Sequence, residues 1–142
     1  MTSSTEPTFF IDWCLGRTVE EALRASGASV IHHREFFEPG TPDIEWLPIV
    51  GLKGWVVLTK DNNISKNQLE LMAIASANVM VFILASGNLT SQEMAGLYVD
   101  VLEKLKRFVQ GNQAPFIAKV FKDRRVERWK NSTQLLRLLR SN

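Results

Sequence analysis

The sequence is poor in the features that would place it in a secreted or membrane class. Its single cysteine, Cys14, cannot form an intrachain disulfide, so nothing calls for an oxidising compartment. No run approaches the roughly 18 apolar residues that a membrane helix needs. The first residues, MTSSTEPT, lack the basic and apolar regions of a signal peptide. We therefore expect a cytoplasmic protein that makes no contact with a membrane.

Charge is nearly balanced over the whole chain but unevenly distributed. The formal net charge is +2; up to Ala118 there are 9 Lys/Arg and 13 Asp/Glu, and from Lys119 onward there are 8 and 2. We predict a folded domain over residues 1–126 and a basic helical tail over residues 127–142. An acidic body suits cation binding, and a basic tail suits phosphates or an acidic partner. Ordinary solvated surface charge explains the tail equally well.

Candidate strands and helices alternate along the chain. Short apolar or β-branched runs predict strands at 8–11, 29–32, 55–59, 79–84 and 116–121, and helical spacing predicts helices at 17–26, 66–77, 90–109 and 134–140. A further helix is predicted with Thr41 as its N-cap, Pro42 at its first position and Asp43 in its first turn, and Pro48 should keep it short or kinked. This alternation predicts an α/β fold with helices on both sides of a mainly parallel sheet, in three layers.

Three aspartates fall where such a fold places its ligands. Asp12 ends the first predicted strand, Asp61 follows the 55–59 strand, and Asp43 opens a helix. The carboxyl ends of parallel strands meet at one edge, so the three carboxylates should converge there. Converging carboxylates repel one another and are normally neutralised by a cation, for which Mg²⁺ or Mn²⁺ is the natural choice. The alternative is that each is an ordinary turn or helix-start residue.

Five motifs in order resemble those of a known family. They are FFIDWCLGR at 9–17, TPDIEWL at 41–47, GWVVLTKDNNI at 54–64, FILASGNLT at 82–90 and PFIAKVF at 115–121. Together they are similar to the PIN-like ribonucleases, in particular the small toxin-type branch of VapC45-like PIN domains. The resemblance implies a three-layer PIN-like fold in which Asp12, Asp43 and Asp61 are the metal-binding catalytic residues, with Thr59 orienting a ligand or a water.

The same resemblance implies a function and partners. The chain would be a Mg²⁺- or Mn²⁺-dependent ribonuclease, the toxin of a prokaryotic toxin–antitoxin pair, with RNA as substrate and an antitoxin protein as partner. Many PIN domains carry a further glutamate, for which Glu20, Glu21 and Glu45 are the candidates here. Trp13 and Trp129 are the tryptophans placed to contact RNA or a partner.

Other functions fit part of the same pattern. A phosphoreceiver domain would use Asp12, Asp61, Ser86 and Lys119, although it normally has two adjacent acids after its first strand. An inactive PIN-like module that binds RNA or protein would keep the fold without turnover. A homodimer through the long helix near residues 97 and 101 is a further expectation, and burial in the chain's own core explains those residues as well.

Overall fold

The structure, a computed structural model, describes residues 6–61, 66–85 and 87–140. Its centre is a six-stranded sheet with the order β2-β1-β3-β4-β5-β6. The first five strands are parallel, and β6 is antiparallel to β5. The strands are β1 (Thr8–Ile11), β2 (Ser29–His32), β3 (Val56–Thr59), β4 (Met80–Leu84), β5 (Phe116–Val120) and β6 (Val126–Lys130).

In the described part of the chain, five α-helices cover the two faces of the sheet. They are α1 (Gly16–Ala25), α2 (Asp43–Lys53), α3 (Gln68–Ala77), α4 (Ser91–Gly111) and α5 (Ser132–Arg140). Side chains of α1 and α4 pack on one face of the sheet, and side chains of α2, α3 and α5 pack on the other. Because the inner parallel strands are covered on both sides, their residues are apolar in succession rather than alternately, as in Val56, Val57 and Leu58. The three-layer α/β/α fold predicted from the sequence is confirmed.

The helix starts differ in part from the prediction. Thr90 caps α4 in a capping box with Glu93, as its sequence indicates. Thr41, in contrast, does not cap α2: its hydroxyl donates to the Glu38 carbonyl at 2.7 Å, and Pro42 is the N-cap residue. Pro48 lies inside α2, and the helix continues past it to a total length of 11 residues.

The C-terminal part contributes a strand that the sequence does not predict. Residues of β6 are mostly exposed because β6 is an edge strand, so VERWK lacks the apolar pattern of the central strands. The predicted division of the chain at residue 126 stays a prediction. In the described part of the chain, no helix is long and apolar enough to cross a membrane. Leu97 and Val101 are buried in the chain's own core, so these side chains do not support the expected homodimer. The homodimer stays a prediction.

Candidate active site

Asp12 is held at the carboxyl end of β1 by neighbours on two elements. Its backbone N–H donates to the Leu58 carbonyl at 3.0 Å, which continues the pairing of β1 with β3 by one residue. Oδ1 accepts the N–H of Trp13 at 2.7 Å, and Oδ2 accepts the Thr59 hydroxyl at 2.7 Å. The carboxylate is buried, with 8% of the residue exposed, so these bonds provide the polar partners that a buried charge needs. Asp12 is therefore fixed in one orientation.

Thr59 links Asp12 to Asp61. The Thr59 hydroxyl, itself fully buried at the end of β3, donates to Asp12 and accepts the backbone N–H of Asp61 at 3.0 Å. The sequence Thr59-Lys60-Asp61 therefore forms a turn that returns Asp61 to the end of β1. The half-buried thiol of Cys14 completes this group, with Sγ at 3.4 Å from Thr59 Oγ1 and 3.7 Å from Asp12 Oδ2.

Asp43 reaches the same edge of the sheet from α2, which begins after the loop that follows the carboxyl end of β2. It is the first residue of α2, and its Oδ1 accepts the indole N–H of the buried Trp46 at 3.0 Å. A cavity of about 390 Å³ opens between these elements. The structure thus brings together all three aspartates named from the sequence. The residues lining the cavity are Asp12, Trp13, Cys14, His33, Gly40, Thr41, Asp43, Trp46, Lys60 and Asp61.

A fourth acid joins Asp43, and the sequence analysis did not identify it. Glu70, in the first turn of α3, forms a side-chain hydrogen bond with Asp43. Burial, Asp12, Glu70 and Asp61 raise the pKa of Asp43 from 3.8 to about 7. Burial is also the main cause that raises the pKa of Glu70. The protonated Asp43 can therefore donate to Glu70 in the absence of a cation.

None of the three glutamates named from the sequence lines the cavity. Glu20 is buried on α1 between Arg24 Nη1 at 2.6 Å and Arg34 Nη2 at 2.7 Å, so its charge is neutralised by two arginines. Glu21 and Glu45 are exposed. The sequence signal that could have found Glu70 is Asn67, a typical N-cap residue. It starts α3 and so places Glu70 in the first turn of that helix.

The donor set fits a hard divalent ion in its chemistry. Carboxylate oxygens are the ligands that Mg²⁺ and Mn²⁺ prefer, and four neighbouring acids leave an excess of negative charge that a cation would relieve. Within residues 6–61, 66–85 and 87–140, however, no three Asp, Glu, His or Cys side chains are grouped so that they could hold a metal ion as they stand. After burial, repulsion from the neighbouring acids raises the pKa of Asp43, and a bound cation would relieve this repulsion.

The two histidines are buried next to the aspartates. His33 lines the cavity among aromatic rings, 5.8 Å from Trp46 and 5.4 Å from Phe37 between ring centres. His32 Nδ1 accepts the backbone N–H of Arg34 at 3.1 Å. Burial lowers the pKa of both imidazoles, so both are neutral at physiological pH.

Comparison with known proteins identifies the family to which the chain belongs. A family model described as "PIN like domain" matches residues 7–86, more than half of the chain. The chain is 25% identical over 103 residues to a protein of Mycobacterium tuberculosis named "Putative ribonuclease VapC45", covering 69% of this chain and 75% of that protein. No solved structure matches.

The chain belongs to the PIN-like domain family, as its five motifs predict. Within that family it is similar to the VapC45 branch. The phosphoreceiver alternative is therefore set aside. Of the residues it would use, Ser86 lies outside the described residues, and Lys119 points its ammonium group to the Trp129 ring, 5.1 Å from the ring centre.

Proposed function

We propose that this protein is a metal-dependent ribonuclease and the toxin of a prokaryotic toxin–antitoxin pair, acting in the cytoplasm. Family membership and the VapC45-like relative support ribonuclease chemistry. The observation that carries the proposal is that Asp12, Asp43 and Asp61 line one cavity at the carboxyl edge of the sheet. An antitoxin that blocks this cavity is the partner expected for a toxin of this kind.

Asp12, Asp43 and Asp61 would hold the ion, with Glu70 as the fourth acid. A bound Mg²⁺ or Mn²⁺ supplies an activated water and neutralises charge on the scissile phosphate. Thr59 keeps Asp12 in its orientation, and Trp46 does the same for Asp43. Lys60 lies exposed at the cavity and can contact a phosphate of the substrate. These residues orient the acids and the RNA before cleavage.

Cleavage of a labelled structured RNA by the purified protein tests this function. We expect cleavage with Mg²⁺ or Mn²⁺, none in EDTA, and a loss of at least about 100-fold in Asp61→Asn, since a cation-binding carboxylate is worth several kcal/mol in such a reaction. Asp123→Asn is the matched control, because Asp123 is exposed and pairs with Arg125 away from the cavity. It should cleave like the wild type.

Two results would contradict the proposal. Cleavage that survives both EDTA and Asp61→Asn would mean that the aspartates do not form the reaction centre. A folded wild-type protein that cleaves none of several structured and single-stranded RNAs would identify the chain as an inactive PIN-like module.

A further inference from the structure

A row of residues across the sheet connects the candidate active site to the basic C-terminal part. Thr59 of β3 is in register with Ile83 of β4, which is in register with Lys119 of β5. In-register residues of parallel strands point to the same face, so Lys119 lies on the face that carries α2, α3 and α5. Neighbouring strands are about 4.8 Å apart, which places Lys119 about 10 Å along the sheet from the threonine that holds Asp12.

A second cavity, of about 400 Å³, begins at this lysine. Its lining includes Ala85, which directly follows β4, and Trp129 of the edge strand β6. It therefore starts at the same carboxyl edge of the sheet as the acidic cavity. The full lining comprises Ala85, Lys119, Phe121, Glu127, Arg128 and Trp129.

The second cavity brings Lys119 beside an accessible aromatic ring, and Lys130, which does not line the cavity, lies over the same ring. Lys119 Nζ lies 5.1 Å and Lys130 Nζ 4.6 Å from the centre of the Trp129 ring, and the tryptophan is 37% exposed. Neither lysine forms an ion pair with any residue that the structure describes. The one acid in the lining, Glu127, is paired with Arg125 at 2.7 Å. The positive charge beside Trp129 is thus left for a ligand.

We propose that Lys119, Trp129 and Lys130 form a binding site for single-stranded RNA that continues the substrate path from the acidic cavity. Ammonium groups bind backbone phosphates, and an exposed indole stacks on a base, which together are the usual means of holding single strands. This inference rests on the proposed ribonuclease function. The basic site would attract the RNA backbone electrostatically, which the acidic cavity alone does not do because its negative charge repels phosphates.

RNA binding measured without turnover tests the site. The probe is a labelled single-stranded RNA of about 12 nucleotides, titrated with full-length protein in EDTA at several salt concentrations, with fluorescence anisotropy as the readout. Lys119→Gln and Lys130→Gln should each weaken binding about 3- to 10-fold and lower the salt slope by about 1. Trp129→Leu should weaken binding at least about fivefold with an unchanged salt slope, and Trp129→Phe should restore much of the loss.

Lys53→Gln is the matched control. Lys53 also lies over a tryptophan, Trp55, at 5.9 Å from the ring centre, but at the end of α2 that leads into the start of β3. RNA binding of this variant should equal that of the wild type. The inference is wrong if Lys53→Gln weakens RNA binding as much as Lys119→Gln does. It is also wrong if the Lys119 and Trp129 variants bind RNA normally while circular dichroism shows that they are folded.

The outcome separates this inference from the proposed function. If the wild type cleaves RNA and the Trp129→Leu variant binds and cleaves RNA equally well, only the RNA site is overturned. Trp129 would then be left as a contact for a protein partner. Loss of RNA binding in the variants of a protein that never cleaves would support the RNA site and overturn only the nuclease.

Discussion

At the scale of single residues, Asp12 and Asp43 show how similar carboxyl groups take different roles. Asp12 has both oxygens occupied, by the Thr59 hydroxyl and the Trp13 N–H. Asp43 accepts one N–H, from Trp46, and otherwise faces other acids. Hydrogen bonds to a charged form favour that form, whereas burial and like charges disfavour it. The charge of Asp43 therefore depends on whether a cation is present.

This difference predicts how stability changes with pH in a metal-free buffer. The pKa of Asp43 is about 7 in the folded protein against an ordinary 3.8, so the folded state binds its proton more tightly. The resulting stabilisation is complete below about pH 4 and is lost as the pH rises through 7. Solvent screens part of this interaction because Asp43 is only half-buried. We therefore expect titration of Asp43 to lower the free energy of unfolding in EDTA by on the order of 2 kcal/mol between pH 4 and 7.5.

Urea unfolding of wild type and Asp43→Asn in EDTA, at pH 4 to 7.5, checks this prediction. An asparagine does not titrate, so the variant should lack this part of the decline and be the more stable protein at pH 7.5. Groups that do not contact Asp43, including the buried histidines, titrate alike in both proteins and cancel in the difference, so the comparison reports on Asp43 together with its neighbour Glu70. Parallel pH profiles for the two proteins would contradict the raised pKa.

At the scale of elements, the position of the acids depends on how closely α2 and α3 pack. Gly51 of α2 lies against the end of α3, and a Cβ on it would overlap the backbone carbonyl of Ala77. No side chain fits there unless the helices move apart. Since Asp43 begins α2 and Glu70 lies at the start of α3, their contact is set by the same helix pair.

Two Gly→Ala substitutions should therefore act in opposite directions. Gly51→Ala should lower the free energy of unfolding by about 1–3 kcal/mol, because the added methyl group meets backbone. Gly96→Ala, on the exposed side of α4 with open space around it, should raise it by about 0.5–1 kcal/mol through helix propensity. Chemical denaturation of both variants measures the effect. Equal shifts in the same direction would show that α2 and α3 are not packed as described.

The elements also show what the sequence can and cannot predict. Buried parallel strands such as β1 and β3 are largely continuous apolar runs, and their carboxyl ends place Asp12 and Asp61 at one edge by topology alone. The contact of Glu70 with Asp43 depends on how two helices pack side by side, which no local pattern encodes. The edge strand β6 has a polar sequence because one side of it faces solvent, so periodicity does not reveal it.

At the scale of the whole molecule, charge is separated along one edge of the sheet. The acidic cavity lies at the ends of β1 and β3, and the basic residues around Trp129 lie at β5 and β6. The uneven charge read from the sequence thus becomes a spatial division, with an acidic part that suits a cation and a basic part that suits phosphate. The two parts are about two strand spacings apart, so one RNA chain can contact both.

A cation that binds only the folded acids must stabilise the whole fold by mass action. At about 100 times its dissociation constant, Mn²⁺ or Mg²⁺ should add about 2.7 kcal/mol to the free energy of unfolding at pH 7.5, which raises the melting temperature by several degrees. Asp12→Asn and Asp43→Asn should lose most of this increase, whereas Asp123→Asn, whose carboxylate pairs with Arg125 at the surface, should retain it. Thermal unfolding at increasing ion concentration, with Na⁺ at matched ionic strength, measures the shift. If the ion stabilised Asp12→Asn as much as the wild type, it would be binding outside the acidic cavity. This conclusion would hold even if RNA cleavage required the ion.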